Sequence, residues 1–491
     1  MSSEELALKR CVQRTDIMLR PDPSRVVVRF FPPHTEDRIE RVAARVMALG
    51  DRAVKERLEL VMRYFRDRHH DIRPMLLRHY GEISPYMITD LDPSEERKLL
   101  IGAYFTSEFA LESAALFNPS IVPHPDQSGL EAGALRFVLT LRAIGEGHLS
   151  SLEFRSGVIA ADLAVSIDDP GQLITSPDLI PNPTYDKDVF SRKLYELGFE
   201  NETSSEVLAG LDDEFSFADL LAQIDRVRRA ARRRSRVRLE TLRGVRNLAE
   251  GNYEVRFDSA LPLGERVILP HSGNGRKAIE DARFVLFRDD EGTAVYYATY
   301  TAYDGHTFFP QLLETGDFAR FRFITLSGEG VENKGMALFP RPINGRYAML
   351  SRQDNENIYL MYSDDVHFWH DRKIVMKPSY PWEFVQTGNC GSPIELDEGW
   401  LMLTHGVGAM RRYCIGAVLL DKDDPTRVIG RLKEPLLEPD ENERQGYVPN
   451  VVYTCGALVH RGTLVVPYAM SDHAASIALV ELDGLVRALL A

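Results

Sequence analysis

The most suggestive chemistry in the chain is Glu280-Asp-Ala-Arg283, two adjacent carboxylates with a guanidinium two residues on. The turn-like run His271-Ser-Gly-Asn-Gly275 precedes it, and an apolar stretch to Val285 follows. On a strand, Asp281 and Arg283 share a face and Glu280 points to the other. A carboxyl beside a guanidinium in an enclosed polar site can serve as an acid, a base or a clamp on sugar hydroxyls. A capping aspartate with a salt bridge fits the same pattern, and residue type and spacing leave both readings open. Other kinds of site fit less well. No G-x-S-x-G elbow presents a serine nucleophile. His271-Ser-Gly-Asn-Gly-Arg-Lys277 lacks the Walker spacing of a phosphate loop and precedes a strand instead of a helix. His69-His70-Asp71 puts neighbouring histidines on different helix faces, whereas a closed metal site needs three or four convergent ligands. His367 and His370, beside Trp369, read as surface packing. Neither a metal site nor a cofactor is expected.

The elements that must position this chemistry are β-like and repeat. Arg136–Arg142 leads through Gly145 and Gly147 to Ser150–Phe154, and Val295–Tyr300 runs to Tyr303-Asp304. Arg346–Arg352 leads to Asn357–Tyr362, Trp400–His405 to Tyr413–Leu420, and Leu464–Asp472 to Ile477–Val480. These are five copies of one unit: apolar strand, polar strand end, turn, second apolar strand. Their spacing approaches the roughly 40–50 residues of a propeller blade. Radial repetition of small antiparallel sheets protects their edges and surrounds an axis. Arg142, Asp304, Arg352, His405 and Asp472 then occupy matching strand ends and converge on that axis. Merely solvated strand-end charges would show no such register.

Two stretches are helical instead. After the β-like run Arg25–Phe31, which Pro32-Pro33 stops, apolar residues recur at helical spacing through Ile39, Val42 and Val46 and again through Leu58, Val61 and Phe65. Asp92-Pro93-Ser94-Glu95 opens a helix with Asp92 as its cap, and that helix carries Leu99, Leu100, Tyr104 and Phe105 on toward Leu111. The second block, 187–248, contains Arg226, Arg228, Arg229, Arg232, Arg233, Arg234, Arg236 and Arg238. Without interleaved aromatics to stack bases, these arginines read as an amphipathic helix pairing with Asp225, Glu240 and other acids.

Lys and Arg number 59 against 73 Asp and Glu, a net charge of −14, which argues against a nucleic-acid partner. Four cysteines, Cys11, Cys390, Cys414 and Cys455, are too few for a disulfide framework, and the last three read as core filler. No apolar run reaches the roughly 18 residues of a membrane span. The acidic N-terminus is unlike a secretory signal, so a cytoplasmic protein is expected.

Several motifs in order resemble glycoside hydrolase family 130, the mannoside phosphorylases and related β-mannosidases. They are Phe117-Asn-Pro-Ser120, Glu280-Asp-Ala-Arg283, Ala302-Tyr-Asp304, Ala337-Leu-Phe-Pro340 before Ile343-Asn-Gly345, Ser363-Asp-Asp-Val-His-Phe-Trp369, Gly399-Trp-Leu401 with His405-Gly406, and Pro449-Asn-Val-Val452 before Cys455-Gly456. The resemblance covers about residues 113–185 and 249–485. With the repeat, it implies a mainly β protein: a five-bladed β-propeller with an N-terminal helical region (1–112), a first blade (113–186), a helical arginine-rich insertion (187–248) and the remaining blades (249–491).

The resemblance further implies a carbohydrate-active enzyme that carries out inverting, reversible phosphorolysis of β-mannosides to α-mannose 1-phosphate. Asp281 matches the catalytic acid, whose proton passes through a hydroxyl of the bound mannose. Inorganic phosphate is then co-substrate and nucleophile. Arg352 and His405 match phosphate-holding positions, with Arg411 and Arg412 able to add charge. Gln386 stands where many of the phosphorylases carry a lysine. Asn118, Arg142, Tyr303 and Asp304 are expected to line the sugar subsite, flanked by Glu280 and Arg283, while Asp472 binds sugar hydroxyls or orients Arg352. Water in place of phosphate would need a carboxylate base set apart from the acid. An inverting β-mannosidase or a β-mannosyltransferase on the same scaffold is the alternative. Retention of Arg352 and His405 favours phosphorolysis. A non-catalytic carbohydrate-binding propeller, its helical parts building a homo-oligomer, is the further alternative.

Overall fold

The computed structural model describes residues 10–89, 91–181, 184–230, 235–270, 278–303 and 308–491. His271–Lys277, Asp304 and Arg232, Arg233 and Arg234, all singled out in the sequence, lie outside these residues.

The apolar runs form antiparallel meanders, so the protein is mainly β. The first consists of Ala115–Pro123, Leu135–Ile144, Ser150–Ile159 and Val165–Ile167. The second runs Ala278–Arg288, Ala294–Tyr303, Phe308–Thr315 and Arg320–Thr325, extended outward by Tyr253–Arg256 and Asp178–Pro181. The third is Lys334–Leu338, Tyr347–Arg352, Ile358–Ser363 and Arg372–Met376. The fourth is Gln386–Asn389, Trp400–Val407, Tyr413–Leu420 and Val428–Arg431. In the fifth, Val452–Tyr453, Thr463–Met470 and Ala474–Glu481 are completed by Val12–Arg14, from the opposite end of the sequence. In the first, third, fourth and fifth meanders the second and third strands are the strand pairs read from the sequence; in the second only Ala294–Tyr303 was read, and its partner Phe308–Thr315 was not. Trp400–Val407 and Thr463–Met470 are buried at every residue, which is why they read as unbroken apolar runs instead of alternating ones.

Near the N-terminus, Val26–Phe30 pairs antiparallel with Thr106–Ala110, and the helices Glu36–Met47, Asp51–Phe65, Ile72–Ile83 and Glu95–Tyr104 lie between them in sequence. The last helix is shorter than its sequence suggests. It ends at Tyr104, because Thr106–Ala110 finds a strand partner, and pairing overrides local propensity. Its cap is Ser94, whose hydroxyl accepts from the Arg97 amide, while Asp92 pairs with Lys98 at 2.7 Å.

The helices of the insertion, Lys187–Glu196, Glu202–Leu208, Phe217–Ala230 and Arg236–Glu250, enclose a core of their own around Phe190, Leu220, Val245 and Leu248. Arg228 pairs with Asp225 at 2.8 Å and Arg236 with Glu240 at 2.7 Å, the acids expected for them. Arg238 reaches Glu206. No helix among the described residues is long and apolar enough to cross a membrane.

A buried tetrad ties the N-terminal part to the first meander. Arg25 lies 2.8 Å from Glu112 and 3.1 Å from Glu153, and Arg155 lies 2.8 Å and 3.2 Å from the same two carboxylates. None of the four side chains is more than 3% exposed. Arg25 also donates to the carbonyls of Gly171 and Gly264. Removing Arg25 leaves Arg155 alone to hold two buried carboxylates, so Arg25→Ala should cost about 3–5 kcal/mol in denaturant unfolding. Arg236→Ala, which breaks an exposed pair, should leave the unfolding midpoint where it is.

Candidate active site

A break in strand regularity builds the centre of the site. Between Glu280 and Arg283 the pairing with Ala294–Tyr303 shifts register, and Asp281 takes a positive φ of 54°. A bulge re-aims side chains that a regular strand would alternate. Glu280 therefore does not point away, as strand geometry predicts: it joins Asp281 on one guanidinium. Arg142 donates through Nη2 to Glu280 at 3.0 Å and through Nη1 to Asp281 Oδ1 at 3.3 Å. Lys334 Nζ donates to the other Glu280 oxygen at 2.8 Å. Asn118, itself at a register shift and a positive φ of 48°, donates through Nδ2 to Asp281 at 2.7 Å.

Arg142 is held from three sides. Its Nε donates to Ser150 Oγ at 2.9 Å, and that hydroxyl donates to the Ile279 carbonyl. Its guanidinium carbon lies 5.2 Å from the centre of the Phe117 ring. Burial pushes the Asp281 carboxyl up, but Arg142, Arg283, the Asn118 hydrogen bond and Lys334 outweigh it and hold the group at about 2. Asp472 shows the opposite balance. Burial and the charge of Asp281 raise it to about 6, against the pull of Arg142 and Arg411. The same interactions put Asp472 and Arg411 within electrostatic reach of the Asp281 cluster.

A second cluster lies nearby. Arg352 Nη1 donates to His405 Nε2 at 2.6 Å, which makes that nitrogen an acceptor and leaves the ring proton on Nδ1. Burial, then the charges of Arg352 and Arg283, hold His405 well below its ordinary value, so it is neutral. Burial also lowers Arg352. Among the described residues no carboxylate pairs with Arg352, and its buried Nε has no hydrogen-bond partner. Gln386 Nε2 lies 3.4 Å from His405 Nε2. Gly388 has to be glycine, because a Cβ there would stand 2.5 Å from the His405 ring and 2.9 Å from Arg352 Cδ.

Arg283 joins the clusters. It donates to the carbonyls of Cys390 and Asp281 at 3.0 and 2.9 Å and to Tyr453 Oη at 2.7 Å. The Tyr453 ring packs edge-on against His405 at 5.1 Å.

The structure thus brings together Asn118, Arg142, Glu280, Asp281, Arg283, Arg352, Gln386 and His405, with Asp472 and Arg411 at the margin. Arg412 turns aside to Glu438 at 2.8 Å. Tyr303 ends its strand with its backbone paired to Ala278. Three residues in the site were not singled out in the sequence. Lys334 is the register partner of Arg352, so strand pairing is the signal that finds it. Tyr453 follows directly on Pro449-Asn-Val-Val452. Asn389 donates to the Gly335 carbonyl and keeps a buried, unpartnered Oδ1. The other noted histidines serve local contacts: His69 meets Glu108, His70 meets Glu265, His367 meets Asp365, and His370 stacks on Phe368. Cys390, Cys414 and Cys455 are buried free thiols.

Paired carboxylates beside a buried cation can grip a polyhydroxyl ligand and an anion together. Comparison with known proteins points the same way. A family model described as beta-1,4-mannooligosaccharide phosphorylase matches residues 249–490. A 1,2-beta-oligomannan phosphorylase of Thermoanaerobacter sp. (strain X514) is 41% identical over 31% of this chain and 52% of its own length. A beta-1,2-mannobiose phosphorylase of the same organism is 34% identical over 47% of this chain and 73% of its own length. A beta-1,4-mannooligosaccharide phosphorylase of Ruminococcus albus is 36% identical over 31% of this chain and 50% of its own length. The matches thus span about half the length of two of these relatives and nearly three quarters of the third. The chain belongs to glycoside hydrolase family 130.

The raised Asp472 carboxyl generates a stability prediction. It protonates more readily in the folded protein than in the unfolded chain, so its contribution favours folding at low pH and is lost as pH rises from 3.8 through about 6. Asp472→Asn should therefore be more stable than the parent by about 1 kcal/mol at pH 8. That gain should vanish near pH 4, as read by thermal melts at both pH values.

Proposed function

We propose that the chain is a β-mannoside phosphorylase. It would transfer a terminal β-mannosyl residue to inorganic phosphate with inversion, releasing α-mannose 1-phosphate and a shortened acceptor. We read the five meanders as blades of a five-bladed propeller enclosing the site on its axis, with residues 1–112 and 187–248 as helical additions around the blades at 113–186 and 249–491. The observation that carries the reading is Arg352, a buried guanidinium with no carboxylate partner among the described residues, close to the Asp281 cluster. A cation so placed favours an anionic co-substrate, and phosphate needs positioning more than activation.

In this mechanism Asp281 is the acid. Its proton passes through a mannose hydroxyl to the glycosidic oxygen as the C1–O bond breaks, and a phosphate oxygen bonds to C1 from the opposite face. Asp281 is ionised in the free protein, so the acid form has to arise on binding. A sugar seated on Asn118 and Arg142 competes for their donors and excludes water, and both effects raise the carboxyl. Arg352 takes the phosphate charge, with His405 as a neutral hydrogen-bonding partner and Gln386 as an uncharged one. Glu280 and Lys334 hold Arg142 and the sugar hydroxyls, and Arg283 fixes the Asp281 backbone. Hydrolysis would need a carboxylate aimed at water, and Glu280 is already engaged by two cations.

Incubation with β-1,2- and β-1,4-mannobiose, with and without phosphate, tests this. Mannose 1-phosphate should form only with phosphate, and Asp281→Asn should lower kcat by at least about a thousandfold with the fold intact. Free mannose released equally in both conditions would make the protein a mannosidase. Unchanged turnover in Asp281→Asn would remove the mechanism.

A further inference from the structure

The turn after Arg142's strand has a second neighbour. Glu146, Gly147 and Leu149 face Arg29, Phe30, Phe31, Ser107, Glu108 and Phe109 across a cleft of about 370 Å³. The two walls are in direct contact at its base. A Cβ on Gly145 would stand 2.4 Å from the Ala110 carbonyl and 2.7 Å from the Phe109 ring, so glycine alone lets the N-terminal strand pair approach this turn. The turn also borders the Asp281 site. Gly145 is three residues beyond Arg142, roughly 10 Å along the strand. The His148 ring lies 6.1 Å from Tyr447, and the neighbouring Val448 amide donates to the Ser471 carbonyl, next to Asp472.

The lining has a definite chemistry. Phe31 is 69% exposed, yet its amide is fixed to the Phe105 carbonyl at 2.8 Å, so a large ring is held in water on a rigid strand end. The Arg29 guanidinium lies over the Phe109 ring at 5.0 Å and feels the charge of Glu146. Glu108 is occupied by Arg68 and His69. Charges of both signs balance here, unlike the cation-rich Arg352 cluster, so the cleft suits a neutral polyhydroxyl ligand better than an anion. An open aromatic face with flanking carboxylate and guanidinium groups offers stacking and hydroxyl hydrogen bonds together.

We propose that this cleft is an acceptor-side subsite, binding the distal sugars of a longer β-mannoside whose terminal mannose occupies the Asp281 site. The inference rests on the β-mannoside reading above and assigns to the N-terminal strand pair a role in chain-length preference. On this assignment a disaccharide ends short of the cleft and a tetrasaccharide extends into it.

The test compares phosphorolysis of β-mannobiose and β-mannotetraose of one linkage by the full chain, Phe31→Ala and Glu146→Gln. The parent should prefer the tetrasaccharide in kcat/KM. Phe31→Ala should lose roughly tenfold of that preference, and Glu146→Gln a smaller part, with mannobiose turnover unchanged. A ratio of tetrasaccharide to disaccharide that stays constant in both variants overturns the subsite. If the parent phosphorolyses neither sugar, the functional reading fails separately, and calorimetric binding of mannotetraose decides. Weaker binding to Phe31→Ala supports the subsite, whereas equal binding or none overturns it.

Discussion

Arg142 holding two adjacent carboxylates is the interaction on which the site depends. Consecutive residues on a regular strand face opposite sides of the sheet. Glu280 and Asp281 meet one guanidinium because the strand bulges and Asp281 adopts a left-handed backbone. Non-glycine residues enter that region at a cost that surrounding contacts must offset. The offset here is electrostatic and comes from other meanders: Arg142 and Asn118 from the first, Lys334 from the third. Ser150 fixes the alignment by bonding Arg142 on one side and the Ile279 carbonyl on the other. Ser150 is also where the first and second meanders pair, opposite Ala278. The geometry at Asp281 is therefore a property of how sheets are docked, not of any single strand.

This explains what was legible in the sequence and what was not. The strand pairs were legible because their residues are apolar, β-branched or aromatic and end in turn residues. The strand-end positions of Arg142, Arg352, His405 and Asp472 followed from the repeat, since equivalent residues in repeated hairpins take equivalent places. Glu280 was misplaced because alternation assumes an unbroken ladder, and a bulge is visible only against the partner strand. Lys334 was missed for a related reason. It stands at the start of its strand and enters the site through its register with Arg352. The strand Val12–Arg14 has no pattern of its own; it exists because the edge of the last meander offers backbone partners. The misread end of the helix at Tyr104 has the same origin, a non-local pairing overriding a local periodicity.

The two clusters divide the work of charge. Around Asp281, two carboxylates meet Arg142 and Lys334, and the balance is close to neutral. Around Arg352, the described neighbours are a neutral histidine and the amides of Gln386 and Asn389, and none of the described carboxylates pairs with the guanidinium. His405 is neutral first because it is buried, and then because Arg352 donates to its Nε2 and Arg283 stands nearby, so a further positive charge is unfavourable. In the proposed reaction, this asymmetry separates a place for hydroxyls from a place for an anion inside one enclosed site.

The same asymmetry accounts for two aspartates of unlike character. Asp281 touches Arg142 and feels Arg283 and Lys334, so its anion is stabilised despite burial. Asp472 is raised to about 6 by burial first and then by Asp281 as a neighbouring negative charge, against the weaker pull of Arg142 and Arg411. Each aspartate's state thus depends on the other's. A ligand that draws Arg142 away from Asp281 allows that carboxyl to take up a proton, and the loss of its negative charge eases the ionisation of Asp472.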